Sequence, residues 1–379
     1  MENKFETLFD DLMALCESSE SFYFATQFDY AGVEYRVFTY RLASYTEFQL
    51  KGAGECRGHT FRKDRDGWKL ASLPMQKFFN YGEHLGWGTE MDLNTMELVM
   101  DKVDGSLIST VTDSCGSFFL KSKTSFTSQQ AKDATAWLNS EKGDRVRVMS
   151  HTAHEAMGYT VNYEWVSPEN QIVIGYTEPR LIVLNARHNV TGEYMPREML
   201  EGLFGESNLV KVMDIPKNPA DFMVEAEKMT GIEGFVIRLK NGLWFKHKTE
   251  AYCILHHLKD SINNPKRLWE ACVNETGDDL RALFKDDPIS IEKIGVMEAK
   301  ASAIYNHVHK SVNAFYNENK DLSRKDYAIK GQGELSKDGT FSLAMNLYIG
   351  RELNVKEFLV KNYKSYGISD AEPEEATDE

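Results

Sequence analysis

The stretch Met100-Asp101-Lys102-Val103-Asp104-Gly105-Ser106 lies between two apolar β-like runs, Glu97 to Val103 and Ser106 to Val111. Asp-Gly is a strong turn signal, so Lys102 is predicted to stand at the end of a strand, two residues before the chain turns. A lysine amine held there is a nucleophile when it is uncharged. Alone the pattern is weak, since K-x-D-G arises by chance in roughly one chain in ten of this size at average residue usage. Its weight depends on what surrounds it.

Outward from Lys102, the chain between Tyr35 and Lys248 is mostly short β-like runs: Tyr35 to Tyr40, Trp68 to Leu73, Phe118 to Lys123, Thr160 to Val166, Gln171 to Tyr176, Arg180 to Arg187, Glu233 to Leu239 and Leu243 to Lys248. Helical stretches around Ser128 to Leu138 and Pro219 to Met229 interrupt them. The mixture predicts an α+β domain built on antiparallel sheets, not a regular βαβ alternation. Neither G-x-x-x-x-G-K nor G-x-G-x-x-G occurs, so nucleotide binding would need another scaffold.

After about Leu255 the pattern changes. Ile291, Ile294, Met297, Ala301, Ile304, Val308, Val312 and Phe315 follow three- and four-residue steps, Pro265 reads as a helix start, and Asn274 to Gly277 reads as a break. Residues 1–254 are therefore expected to form one domain, residues 255–366 an all-helical second domain, and residues 367–379 an acidic disordered tail. Near the N-terminus Phe5, Leu8, Phe9, Leu12 and Leu15 fall at helical spacing, which predicts a helix packed on the core.

The 379 residues are 42% apolar, enough for an ordinary globular core. No run approaches the ~18 apolar residues of a membrane span, and the first residues do not read as a signal peptide. Five scattered cysteines (Cys16, Cys56, Cys115, Cys253, Cys272) without C-x-x-C spacing argue against a disulfide framework and a structural zinc site. A soluble, cytoplasmic protein is expected, and nothing calls for an obligate oligomer, so a monomer is expected. The net charge is −14, and six acidic residues without a base fall in Asp370 to Glu379. The remainder is still acidic, so a polyanionic partner would have to be gripped by a local basic groove or through metal ions.

Lys240-Asn241-Gly242 joins two β-like runs, and Asn-Gly is the strongest two-residue hairpin signal. With Asn241-Gly242 as the loop, Ile237 faces Lys246 and Phe235 faces Lys248, and alternation puts Glu233, Phe235, Ile237, Lys246 and Lys248 on one face. A charged, solvated sheet edge is the ordinary role of two lysines at i, i+2. Here Phe235, Val236 and Trp244 make the hairpin too apolar for that. Lys121 and Lys123 repeat the spacing in Phe118 to Lys123. In Asn162-Tyr163-Glu164-Trp165-Val166 a glutamate stands between aromatics, and if it points inward it needs a cation, a metal or a ribose hydroxyl.

The ordered series Lys102-Val103-Asp104-Gly105, Tyr163-Glu164-Trp165, Glu233-Gly234-Phe235-Val236 and Lys246-His247-Lys248 resembles the motifs of the covalent nucleotidyltransferases, which include ATP-dependent DNA and RNA ligases and mRNA capping enzymes. Glu55-Cys56-Arg57-Gly58, Pro74 to Asn80, Phe119-Leu120-Lys121-Ser122-Lys123 and the helical C-terminal half narrow this. They resemble the bacteriophage RNA ligase 1 family, from the first helix to about Tyr366. Phe235 stands where relatives often have tyrosine, His247 lies between the paired lysines, and Thr124 stands where glycine is common.

The resemblance implies an antiparallel-sheet nucleotidyltransferase domain, ATP-grasp-like in the ligase manner, with residues 1–90 a family-specific N-terminal part. It implies an RNA ligase (ATP) in which Lys102 takes AMP from ATP, passes it to a 5′-phosphate RNA end, and a 3′-hydroxyl then displaces it. ATP and two Mg2+ ions, with Mn2+ able to substitute, are the implied cofactors. By the same resemblance Lys246 and Lys248 contact the α-phosphate, Glu164 the ribose or metal-bound water, Glu233 metal-bound water, and Val236 the adenine. Tyr40, Arg57 and Lys77 match triphosphate-contacting positions, a fitting task for arginine and lysine. Asp278 and Asp279 match an acidic pair near metal-bound water, although alone they read as a helix N-terminus. Lys121 and Lys123 would line the nucleotide pocket or meet the RNA backbone. The implied partner is RNA with 5′-phosphate and 3′-hydroxyl ends, notably tRNA broken in the anticodon loop during phage infection.

Free lysine has a pKa near 10.4, so its neutral form costs about 4–5 kcal/mol at neutral pH. Lys246, Lys248 and magnesium are expected to reduce that cost. Two other readings compete. A DNA ligase or capping enzyme would continue into a small β-barrel after the paired lysines, which the sequence beyond Leu255 does not suggest. A non-catalytic RNA-end binder would not need Lys102.

Overall fold

The computed structural model describes residues 4–41, 43–44, 46–82, 91–277, 280–281, 284, 287–336 and 339–370. The chain divides into two compact units, Met1–Cys253 and a second beginning at Ile254. The architecture is α+β, with sheets in the first unit and helices in the second.

In the first unit β1 (Phe22–Phe28), β2 (Glu34–Tyr40), β3 (His59–Asp64) and β4 (Gly67–Ser72) form an antiparallel meander. Helix α1 (Leu8–Ser18) supplies Leu8, Leu12 and Leu15, which pack with Phe5, Phe22, Phe38 and Phe61 in one core, as the helical spacing near the N-terminus required. The next strands are β5 (Phe79–Asn80), β6 (Met96–Lys102), β7 (Ser106–Thr112), β8 (Phe118–Lys121), β9 (Tyr159–Val166), β10 (Arg180–His188), β11 (Val212–Met213), β12 (Gly234–Leu239) and β13 (Trp244–Lys248). They make two sheets, ordered β10-β9-β7-β8 and β11-β6-β12-β13-β5. Among the ladders between these strands, all are antiparallel except β13 with β5. Helices α2 (Gln129–Leu138), α3 (Asp144–His151) and α4 (Arg197–Phe204) share a core with Val161, Tyr163 and Trp165, the β9 face turned away from Glu164. Helix α5 (Pro219–Glu227) covers Phe235, Ile237 and Phe245 with Phe222 and Met223.

β6 and β7 belong to different sheets, so Val103-Asp104-Gly105 is the crossing between two layers, not a hairpin turn. The crossing fixes Gly105. A Cβ there would run into the Trp165 carbonyl and lie 2.9 Å from Val166 Cγ1.

Two expected strands differ. Gln171 to Tyr176 is a loop, because the N–H groups of Val173 and Ile174 donate to the Asp104 carboxylate at 2.7 and 2.6 Å instead of to a ladder. The Phe118 strand ends at Lys121, so Lys123 is not placed by strand alternation.

The second unit is helical. Asn264 caps the helix Pro265–Val273, accepting from Arg267 N–H at 3.0 Å. Asp287 caps the long helix Pro288–Asn319, whose Ile294, Ala301, Val308, Val312 and Phe315 are buried as their spacing required. Between the two, Glu275 has φ 62°, the one positive φ at a non-glycine among the described residues, and it marks the break after Asn274. Helices Arg324–Leu335, Phe341–Tyr348 and Val355–Lys361 complete a core around Trp269 and Tyr327. All five cysteines are free. Among the described residues no helix is long and apolar enough to cross a membrane.

Candidate active site

The central observation is at the end of β6. Gly234 pairs with Lys102 on one side and Lys248 on the other, and Val236 with Met100 and Lys246. Lys102, Val236, Lys246 and Lys248 therefore project from one face of the sheet. This corrects the register read from sequence, in which Phe235 and Ile237 faced the lysines. Leu239 N–H donates to Leu243 O and Gly242 N–H to Leu239 O, both at 2.9 Å, so the loop is Lys240-Asn241-Gly242 with Gly242 at φ 83°. A three-residue loop shifts the partner strand by one place and exchanges its faces. Phe235 and Ile237 pack on α5 instead, and His247 faces the same way, its Nε2–H donating to Met223 O at 2.7 Å.

Glu233 reaches the lysine face in spite of strand parity, because Gly234 has φ 148° and lets the backbone swing before the ladder begins. A Cβ on Gly234 would overlap the His247 carbonyl and approach Lys248 Cα to 2.7 Å. Glu233 is 3% exposed, with Oε1 2.6 Å from Lys102 Nζ and 3.5 Å from Lys248 Nζ. Lys248 Nζ also lies 5.3 Å from the Tyr252 ring centroid.

The proton on Lys102 is held firmly. Burial is the largest influence and acts to lower its pKa, but Glu233, Glu164 and Asp104 together outweigh it and raise the pKa above the ordinary lysine value. In the protein by itself these carboxylates therefore favour the charged amine, opposite to the effect expected of Lys246, Lys248 and magnesium together. Glu164 acts from the other sheet, where it pairs with Leu107 and Ile182.

Asp104 is the residue that sequence reasoning left without a task. It is buried, and besides Val173 and Ile174 it accepts from Tyr252 Oη–H at 2.7 Å, while its own N–H donates to Tyr176 Oη at 3.1 Å. One carboxylate thus ties the Lys102 crossing to the 173–176 loop and to Tyr252. Burial, the largest cause, raises the Tyr176 pKa, so its hydroxyl stays neutral.

A second group gathers around Tyr40. Lys77 Nζ donates to Tyr40 Oη at 3.2 Å, and Lys123 Nζ lies 4.9 Å from the Tyr40 ring centroid. Lys121 is fully buried and donates to the carbonyls of Ser122 and Lys123 at 3.2 Å. Gly58, at φ 87°, lets that turn approach, since a Cβ would meet Lys123 O at 2.7 Å and Lys121 Nζ at 3.0 Å. Arg57 stacks toward Phe78 at 5.7 Å, and its Nη1 is buried and meets no hydrogen-bond acceptor among the described residues. Phe79 and Asn80, just beyond Lys77, pair with Phe245 and Lys246 and so fasten this group to the sheet that carries Lys102. Asp278 and Asp279 lie outside the described residues.

Among the described residues no three carboxylate, imidazole or thiolate groups converge as a metal cage. Glu164 and Glu233 fit a different mode, in which a magnesium-like ion keeps its waters, takes phosphate oxygens and leans on one or two carboxylates.

Residues 55–253 match the family model described as RNA ligase, and residues 259–370 the model described as T4 RNA ligase 1, C-terminal domain. The chain belongs to the bacteriophage RNA ligase 1 family. RNA ligase 1 of bacteriophage TS2126 is 30% identical to this family member over 207 residues, 52% of this chain and 51% of that one. A Thermovibrio ammonificans protein named for RNA ligation is 25% identical over 273 residues, 67% of each chain. The structure of an archaeal ATP-dependent RNA ligase overlays this RNA ligase 1 family member with a TM-score of 0.45 at 11% identity, covering 90% of this chain and 95% of that one.

Proposed function

We propose that this RNA ligase family member is an ATP-dependent enzyme that joins 5′-phosphate and 3′-hydroxyl RNA ends through a Lys102-AMP intermediate and an adenylylated RNA end. The observation that carries the reading is Lys102 at the seam of two sheets, with Glu233 at 2.6 Å, Lys248 sharing that carboxylate, and Val236 and Lys246 on the same face.

Neutral Lys102 Nζ forms a bond to the α-phosphorus of ATP as the bond to pyrophosphate breaks, and the amine sheds a proton. An RNA 5′-phosphate oxygen then attacks that phosphorus, the N–P bond breaks, and Nζ regains a proton. Finally the 3′-hydroxyl attacks the RNA 5′-phosphorus and AMP leaves. Lys246 and Lys248 offset charge on the α-phosphate, where fixed cations lower the barrier. Val236 gives the adenine an apolar wall. Tyr40, Arg57 and Lys77 take the β- and γ-phosphates, and the acceptor-less Nη1 of Arg57 supports this. Lys121 and Lys123 shape the floor beside Tyr40. Two Mg2+ ions, with Mn2+ as substitute, would be held through water by Glu164 and Glu233, with Asp278 and Asp279 assigned the same role, and would neutralise phosphate charge and favour the neutral amine.

The natural substrate proposed is single-stranded or nicked-loop RNA, in particular tRNA broken in the anticodon loop during phage infection, handled by a monomer in the host cytoplasm. Incubation with Mg2+ and ATP labelled at the α-phosphate tests the first step. Covalent label on the wild type and none on Lys102→Ala is expected, and no label on the wild type sinks the reading. Sealing assays test the substrate, with preferential joining of nicked duplex DNA counting against RNA.

A further inference from the structure

Buried Arg187 and the partly exposed Glu55 form a pair that the chemistry above does not use. The guanidinium grips the carboxylate with both arms, Nη1 to Oε2 and Nη2 to Oε1, each at 2.7 Å, and the Arg187 side chain is 4% exposed. The same Nη1 donates to Pro74 O at 3.1 Å, and Nε donates to Gly192 O at 3.2 Å. His59, fully buried, adds its Nε2 at 2.9 Å from Glu55 Oε2. A strand of the β10-β9-β7-β8 sheet is thereby bonded to two separate segments, one through Glu55 and one through Pro74.

Those are the segments that carry Arg57 and Lys77. Arg57 N–H donates to Glu55 O at 2.8 Å, and Lys77 N–H donates to Gly54 O at 2.7 Å, so the two segments are also laced to each other. Arg57 Nη1 has no acceptor among the described residues to hold it in place. Apart from the Phe78 ring it approaches, its direction follows from the backbone behind it, which Glu55 anchors. A guanidinium suits this task because it can hold a carboxylate at two points and a carbonyl at a third, whereas an ammonium acts as a point charge.

We infer that Arg187, through Glu55, is a positioning residue that sets Arg57 and Lys77 for the ATP triphosphate. The inference rests on the reading of those two residues as triphosphate contacts. It predicts a split between steps, since pre-adenylylated RNA carries no γ-phosphate and its sealing does not need that alignment.

The test compares wild type, Arg187→Lys and Glu55→Gln in two assays, with thermal melting alongside. In lysyl-AMP formation both variants should raise the KM for ATP on the order of tenfold or more, as expected when a binding group is displaced by a fraction of an ångström to an ångström. Sealing of chemically pre-adenylylated RNA should stay within about threefold of wild type, because the reacting groups are not displaced. An unchanged KM in a folded variant overturns the positioning role. So do equal losses in both assays accompanied by a lowered melting temperature, which would mark a purely structural pair. If the wild type takes no label from ATP, the proposed function fails first and this inference falls with it.

Discussion

Replacing Asp104 by asparagine removes one charge and reverses one hydrogen-bonding group at a carboxylate that accepts three hydrogen bonds. The native side chain accepts from Val173 N–H, Ile174 N–H and Tyr252 Oη–H at 2.6 to 2.7 Å, and it is 2% exposed. Bonds to a charged acceptor are worth about 1.5–3 kcal/mol each, against about 0.5–1.5 for neutral ones. An asparagine that keeps its carbonyl on the two backbone donors turns its NH2 toward Tyr252, whose hydroxyl hydrogen then loses its acceptor. The expected cost is about 2–4 kcal/mol, or a fall of about 5–15 °C in the melting temperature for a unit of this size. Lysyl-AMP formation should fall with it, because the Lys102 crossing loses its tie to the 173–176 loop. The assay is a double-mutant cycle by urea unfolding. Tyr252→Phe alone should cost about 1–2 kcal/mol, but when combined with Asp104→Asn it removes only the stranded hydroxyl and should cost close to nothing. Additive effects, or a melting change below about 2 °C for Asp104→Asn, would refute the reasoning.

Gly105→Ala places a methyl group against Trp165 O and Val166 Cγ1 and should cost about 1–3 kcal/mol, whereas Gly242→Ala, at φ 83° with open space around it, should cost about 1 kcal/mol, both read by urea unfolding. Burial, the largest cause, pushes His154 down to about 4, so its neutral form is favoured by folding. Stability should therefore be lost as pH falls through the window from about 6.5 toward 4, by about 2 kcal/mol on reaching pH 5, with buried His59, also lowered, adding in the same direction; a flat profile from pH 7.5 to about 5 would contradict this. In ATP-free protein, amine acylation of Lys102 should be suppressed near neutral pH, because Glu233, Glu164 and Asp104 keep it charged in spite of burial. Glu233→Gln should move the rise in labelling to lower pH, and mass spectrometry that finds Lys102 labelled like an exposed lysine in the wild type would oppose the account.

The charge carriers were legible in the sequence because each stands in a β-forming run where a solvated role is hard to satisfy. Lys102, Glu233 and Lys248 converge for that reason, and the helical spacing after Pro288 needed nothing beyond local periodicity. The hairpin register was not legible. Asn241-Gly242 satisfies a two-residue loop and a three-residue loop equally well, and one residue decides which face the lysines share. Nor were the long ties. Asp104 meets Tyr252 across 148 residues and Glu55 meets Arg187 across 132, separations at which no periodicity operates. Gln171 to Tyr176 misled because its apolar composition suits a strand, while a carboxylate almost seventy residues away takes its amide hydrogens. β3, His59-Thr60-Phe61-Arg62-Lys63-Asp64, is not among the β-like runs read from the sequence, and its last three residues are charged.

The two loops that flank the lysine face differ in a way that matters for cutting the chain. Lys240-Asn241-Gly242 is a small excursion with nothing within 4 Å of a side chain added at Gly242, so new termini, an inserted tag or a break between two separately expressed fragments would leave the ladder of β12 and β13 to reassemble through its own pairing. Val103-Asp104-Gly105 allows none of this, because Gly105 is wedged against Trp165 and Asp104 is bonded on every side. A permuted or split version of this protein should therefore open at Gly242, leaving the nucleophile on one fragment and its paired lysines on the other, so that AMP uptake becomes a reporter of whether the halves have met.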